Sequence, residues 1–392
     1  MKITRIDVHV LLAPDYDGSA CSSAQDDLIV EVHTDDGIVG IGETDTNPWV
    51  ASSCIRAPGT HCMGRGLEEM LIGADPLQPE AVWETLYRGS KMTGRRGAMI
   101  CAIGAIDVAL WDIRGQAEGA PVARVLGGDP SRPVTPYASL LPDGHTLEAY
   151  RASLVDKAVR AKRLGFRALK LEVCLNGPYS HHGLQENDES VVHVVAECRR
   201  AVGTDIVLMV DVAYAWPDAR TALGVIERLA HFDLAFVETP IDIDDLAGYA
   251  FLHDHSPIPI AAGEWQNTHF EFLDLADRGK VDVLQPDVGR VGGFTPALRV
   301  SRLASERGLR IVPHCWKSGI GIAASAHLAA ASDCCPYIEF LPRELAESPL
   351  RGDLLREDLP VVDGRIRLSD RPGLGITLDR DALEHYRVDG RV

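Results

Sequence analysis

IVLMVD (206–211), LAFVE (234–238) and PIAAGE (259–264) are three short apolar runs, and each closes on an acid: Asp211, Glu238 and Glu264. Between successive acids lies enough chain for a loop, a helix, a returning loop and the next strand, the length of a βα unit in a parallel sheet. An acid at the end of a buried strand is costly to leave unpaired. Three of them set side by side by parallel strands repel unless something positive sits between them. A divalent cation answers that need, and an all-oxygen ligand set favours Mg²⁺ over zinc.

The rhythm extends in both directions. Downstream, VDVLQPD ends on Asp287, LRIVPH on His314 and PYIE on Glu339. Upstream, FRALKLE (166–172) carries Lys170 and Glu172 at the same point of an apolar run. Seven or eight parallel strands, each with a polar residue at its C-terminal end, predict an α/β fold of the TIM-barrel type with its active site at that face. Any one of these acids read alone is equally well a helix cap or a solvated strand end; the shared register sets them apart.

Outside this frame, residues 1–13 and 27–42 alternate like antiparallel strands, with a hairpin at Asp36-Gly37. Residues 15–26 and 44–66 are read as irregular loops. GLEEMLIG, PEAVWETLYRG and the long run 97–119 are read as helices, the last buried between layers because it is apolar over most of its circumference. Its Asp107 and Asp112 are expected to pair with arginines. The insertion CLNGPYSHHGLQENDES (174–190) follows a barrel strand and is expected to lie over the pocket. DLPVVDGRIRLSDRPGLGITLD (358–379) reads as two short strands placed against the N-terminal sheet.

Bulk properties exclude several classes. The chain has 392 residues, 46% hydrophobic and 24% charged, ordinary for a globular protein. A formal net charge of −18 argues against nucleic acid or an anionic membrane as partner. Nine cysteines without a CxxC pair are expected to be reduced thiols in a cytoplasmic protein. No run is long enough to span a bilayer.

The order of LKLE, VDVAYAW, VETP, AAGE, LQPDVGRVGG, VPHCW and YIEF resembles the enolase superfamily, in its mandelate racemase subgroup; residues 94–128 resemble that subgroup's helix leading into the barrel. The likeness covers essentially the whole chain. It implies an α+β capping domain over residues 1–125, completed by 356–392, and a modified (β/α)₇β barrel over 126–355. It further implies that Asp211, Glu238 and Glu264 hold Mg²⁺, that His314 with Asp287 is an acid/base dyad, and that Glu339 bonds the substrate carboxylate. An even-numbered homo-oligomer follows from the resemblance alone. One departure stands out. The subgroup usually has Lys-x-Lys on the second strand, its second lysine a base opposite the histidine, whereas here the pair is Lys170-Leu171-Glu172.

Removing a proton alpha to a carboxylate builds a second negative charge on that group, which Mg²⁺ and Lys170 would stabilise. A racemase needs two bases on opposite faces of the carbon; a dehydratase manages with His314 alone, first as base and then as acid. The expectation is therefore dehydration of a sugar acid, an aldonate or aldarate, to a 2-keto-3-deoxy acid. A racemase, epimerase or cycloisomerase using Glu172 or Lys170 remains open, as does a non-catalytic metal- and ligand-binding relative. Lys170 and Glu172 pairing only with each other, and His314 buried as a core residue, are the plain alternatives. Tyr16, Asn47, Trp49 and His182 are candidate contacts to a small carboxylate substrate.

Overall fold

The computed structural model describes residues 1–388; the last four residues of the 356–392 segment assigned to the cap lie outside them. The chain opens with a three-stranded antiparallel sheet, β1 (Ile3–Leu12), β2 (Asp26–Thr34) and β3 (Val39–Thr44). Alternation sends Leu28, Val30 and Val32 to one face, joined by Ile6 and, across a register shift between Ile3 and Arg5, by Ile3; there they meet Ile100, Ile103, Ile106 and Leu110 of the helix Ala98–Glu118. Val108 and Trp111 on the same helix join the barrel core. The helix is apolar all round because it is the layer between two cores. Gly40 and Gly42 let it approach β3: a Cβ at either would run into the backbone of Ala109 or Ala105.

Eight parallel strands follow: β4 (Pro136–Leu140), β5 (Ala168–Glu172), β6 (Val207–Asp211), β7 (Leu234–Glu238), β8 (Ile260–Ala262), β9 (Val283–Leu284), β10 (Arg310–Ile311) and β11 (Ile338–Phe340). They hydrogen-bond in chain order, with β11 returning to the free side of β4. The Glu339 amide donates to the Pro313 carbonyl at 3.3 Å, which joins the two ends into a ring. Period two then sorts the side chains. Leu169, Leu171, Leu208 and Val210 face the outer helices, while Ala168, Met209, Phe236, Ala261, Val283, Val312 and Tyr137 fill the barrel with an apolar plug. The charged residues stand on that plug. Register places Glu172 opposite Asp211, and Asp211 opposite Glu238.

Three expectations are corrected. Residues 44–66 are not irregular throughout: Pro48–Arg56 is a helix, with Asn47 accepting from the Val50 amide and Pro48 in the first turn. Glu264, Asp287 and His314 do not end strands, because β8, β9 and β10 stop two or three residues earlier. The short hairpin Val361–Val362 with Arg365–Ile366 bridges Val134 at the entry to β4, not the N-terminal sheet. Contacts with the cap come later: Leu374 N bonds Asp112, Arg380 pairs with Glu31, and the Val388 amide donates to Val10 at 2.9 Å.

Candidate active site

At the C-terminal ends of the strands, the fully buried Lys170 is ringed by acids. Its ammonium lies 2.8 Å from Glu339 Oε1, 3.0 Å from Glu238 Oε1, 3.5 Å from Glu172 Oε1 and 3.7 Å from Asp211 Oδ2. Burial alone would favour losing that proton, but Glu172, Glu238 and Glu339 outweigh it and hold the ammonium well above the ordinary lysine range. Ser139 fixes Glu172 by donating to Oε1 at 2.9 Å. Burial, with Asp211, Glu238 and Glu339 close by, pushes Glu172 well above the usual carboxyl range despite Lys170. Lys170 and Glu172, two residues apart, share one side of the strand, but Lys170 serves four acids, not Glu172 alone.

Asp211 is held by backbone and hydroxyl: Oδ1 accepts from the Ala213 amide at 2.8 Å and from Thr239 Oγ1 at 2.7 Å. Ala213, Tyr214 and Thr239 all have positive φ (47°, 60° and 46°), a strained backbone concentrated at the barrel mouth. Opposite this group, His314 Nδ1 lies 2.8 Å from Asp287 Oδ2, the pairing expected of an acid/base dyad. Its Nε2 is turned to Glu264 Oε2 at 3.2 Å and Glu339 Oε2 at 3.9 Å. Burial lowers the imidazole pKa, yet Glu339, Asp287 and Glu264 outweigh burial and Arg290 and hold it up at about 9.

The three acids expected as metal ligands sit in one mouth, although Glu264 is drawn aside to Arg290 Nη1 (3.1 Å) and His314. Among the described residues, two groups bring ligand atoms within 4.8 Å of one another: Asp17, His145 and His182, away from the barrel mouth, and the buried Asp45, Asp287 and His314, already met by Arg290 and, at Asp45, by Lys317. The fit to a hard cation rests on Glu238. Its Oε2 is buried without a hydrogen-bond partner, and burial, reinforced by Asp211, Glu339 and Glu264 against Lys170, pushes its carboxyl up to about 8. Six carboxylates (Glu172, Asp211, Glu238, Glu264, Asp287 and Glu339) here face Lys170, Arg290 and the imidazole of His314. An all-oxygen set with an orphaned buried oxygen and excess negative charge fits a small divalent cation.

These groups open onto a cavity of about 290 Å³ lined by Glu172, Asp211, Glu264, Arg290 and His314, with Ala20–Ser23 from the cap loop overhead. Of the proposed substrate contacts, none lines it. Tyr16 is 55% exposed, and Trp49 belongs to the helix Pro48–Arg56. His182 lies between the tilted rings of His145 and His181 (centroids 3.8 Å to each) with Nδ1 2.8 Å from Ser19 Oγ. Asn47 caps its helix and lines a neighbouring chamber. The insertion does reach the cavity, through Tyr179. Residues not picked out from the sequence are Arg290, Tyr214, Trp265 and Trp316. Each follows Asp211, Glu264, Asp287 or His314 by one to three positions, the one signal that would have found them.

With this geometry in place, the family is secure. Residues 153–382 match the enolase C-terminal domain-like family, and residues 2–127 match the N-terminal domain of mandelate racemase/muconate lactonizing enzymes. The chain belongs to the enolase superfamily, in its mandelate racemase subgroup. It is 32% identical over 401 aligned positions to D-galactarolactone cycloisomerase of Agrobacterium fabrum, covering 99% of each chain. It is 30% identical to arabinonate dehydratase of Saccharolobus solfataricus, covering 92% of this chain and 90% of that one. A racemase from Streptomyces coelicolor A3(2), solved with bound magnesium, superposes with a TM-score of 0.83 at 27% identity, over 98% of this chain and all of the other. Among the described residues no helix is long and apolar enough to cross a membrane.

Proposed function

We propose that this chain is a Mg²⁺-dependent sugar-acid dehydratase, which removes the proton alpha to the carboxylate and breaks the neighbouring β C–O bond to give a 2-keto-3-deoxy acid. The observation that carries the reading is the His314–Asp287 pair at 2.8 Å, with Nε2 directed into a cavity walled by Asp211, Glu264 and Glu172. Asp287 fixes the ring so that Nε2 faces the substrate and supports the imidazolium once formed. His314 takes the α-proton in its neutral form, which Glu264 and Glu339 disfavour until their charge is offset, then returns it to the departing β-oxygen. Lys170 sets an ammonium beside the same acids, where it offsets charge developing on the substrate carboxylate.

Asp211, Glu238 and Glu264 would hold the ion, which when bound supplies Lewis-acid stabilisation of that charge. Glu172 stands where a racemase of this subgroup carries its second lysine, and one base is enough for elimination. A second reading is favoured by the cycloisomerase relative, aligned over 99% of both chains. There the leaving oxygen belongs to a ring, and the roles of His314 and Lys170 are unchanged. The test is a panel of hexonates, hexarates and their lactones, incubated in D₂O with Mg²⁺ and after EDTA. Keto-acid formation that EDTA abolishes and Mg²⁺ restores is expected. Deuterium entering recovered substrate with inversion points to epimerisation instead, and neither product nor exchange with any acid would sink the proposal.

A further inference from the structure

Beside the central cavity lies a second chamber of about 420 Å³ that shares Ser22, Ser23, Trp265 and Arg290 with it. A substrate whose reacting carboxylate sits near Lys170 would extend its far end past Arg290 into this chamber. We infer that the far end must be uncharged: the site takes sugar-derived acids with a single carboxylate, open-chain or cyclised, and discriminates against dicarboxylates. This rests on the sugar-acid reading above and narrows it.

The argument is a count of charges and their commitments. Arg290 is the one cation lining the chamber among the described residues, and its guanidinium is spent: Nη2 pairs with Asp45 Oδ2 at 2.6 Å, Nη1 with Glu264 Oε2 at 3.1 Å, and Nε donates to the Asp45 carbonyl at 3.0 Å. Lys317, buried behind it, holds Asp26 at 2.5 Å and Asp45 at 3.4 Å. Asp26 and Asp45 both line the chamber. Two cations therefore face two carboxylates even if Glu264 is given wholly to a metal ion, and no positive charge is left over. Arg95 and Arg96 do not supply one. Neither lines the chamber, and Arg96 is paired with Glu271 at 2.8 Å.

The remaining positive feature is the start of the helix Ala98–Glu118. Its preceding Gly97 amide is taken by Asn267, and the Ile100 and Cys101 amides bond the Gly97 carbonyl. A partial helix charge does not offset a full carboxylate brought beside Asp26 and Asp45. What the chamber does offer is neutral polarity, from Thr46, Asn47 and Asn267, suited to hydroxyl groups.

The test pairs hexonates with hexarates of the same configuration, adds hexarolactones, and measures binding to the Mg²⁺-supplemented protein by concentration-dependent thermal shift. α-Hydrogen exchange in D₂O is followed in parallel. The single-carboxylate ligands are expected to bind at least about tenfold tighter than the matched dicarboxylates. Asp45→Asn frees the Arg290 guanidinium and is expected to narrow that gap at least about threefold; Asp26→Asn, which releases Lys317, provides the same readout if the first variant does not fold. A hexarate that binds as tightly as its hexonate, with exchange observed, overturns this inference alone. No binding and no exchange with any of these acids overturns the sugar-acid reading, and this inference with it.

Discussion

Two groups of buried acids solve the same desolvation problem in opposite ways. Asp107 and Asp112, on the helix between cap and barrel, are satisfied by neutral donors. Asp107 accepts from the Thr295 amide at 2.9 Å and its hydroxyl at 2.7 Å. Asp112 accepts from the amides of Ile41 at 3.0 Å and Leu374 at 2.8 Å. Neither meets an arginine, contrary to expectation. These bonds tie the helix to the barrel, the cap sheet and the C-terminal segment at once. At the barrel mouth the acids crowd instead around one lysine, and Glu238 Oε2 is left without a partner. Acids saturated by neutral donors belong to the architecture. An acid left unsaturated beside the carboxylates that wall an open cavity is prepared for a ligand.

Lys170→Met strikes hardest at that difference. It strips the one cation from four buried carboxylates, and breaking such an arrangement costs about 3–5 kcal/mol. A large loss in denaturant midpoint together with loss of turnover is expected; an unchanged midpoint would show that the acids do not depend on the lysine. His314→Asn comes next and should separate chemistry from stability. Turnover per folded molecule is expected to fall by about 10²–10⁴-fold, beyond the loss of midpoint that follows from depriving Asp287 and Glu264 of their imidazole partner, whereas Thr295→Val should cost about 1–3 kcal/mol and leave turnover per folded molecule unaltered. If Thr295→Val slowed catalysis as much as His314→Asn, the division between the two groups would fail.

Much of this contrast was legible in the chain. Asp211 and Glu238 end short apolar runs, and the structure places them opposite each other as the last residues of β6 and β7. The side-by-side arrangement follows from period and spacing alone. The strands β8 to β10 are too short to carry a period, so Glu264, Asp287 and His314 fall in the loops beyond them. The commitment of Glu264 to Arg290 depends on a loop conformation that no spacing rule reaches. Asn47-Pro48 is a helix start in local chemistry, yet the surrounding Gly, Ser and Pro obscured it. Asp107 and Asp112 were visible as acids on a buried helix, but their partners Thr295, Ile41 and Leu374 are distant in sequence and neutral, so no charge pattern pointed to them.

The smallest expected effect tests the architectural acids by pH. Burial pushes Asp107 up to about 7 and Asp112 up to about 6, even though their hydrogen bonds pull the other way. A carboxyl whose folded pKa lies above its unfolded value binds its proton more tightly when folded, so its contribution is complete at acid pH and is lost as pH rises toward the folded value. Between about pH 4 and pH 7, then, these two residues make stability fall with rising pH. Asp107→Asn removes one of the two titrations while keeping the size of the side chain, at the cost of turning its NH2 toward the Thr295 hydroxyl, which already accepts from Trp111 Nε1. The variant should be less stable than the parent by roughly 1 kcal/mol near pH 5, and since each unit of the raised pKa is worth about 1.4 kcal/mol, the gap should close and then reverse as the pH approaches 7.5 or so. Urea midpoints at both ends of that range measure it. A gap that stayed constant would mean that Asp107 is ionised throughout, and that an uncompensated charge, not a neutral carboxyl, sits between the cap and the barrel.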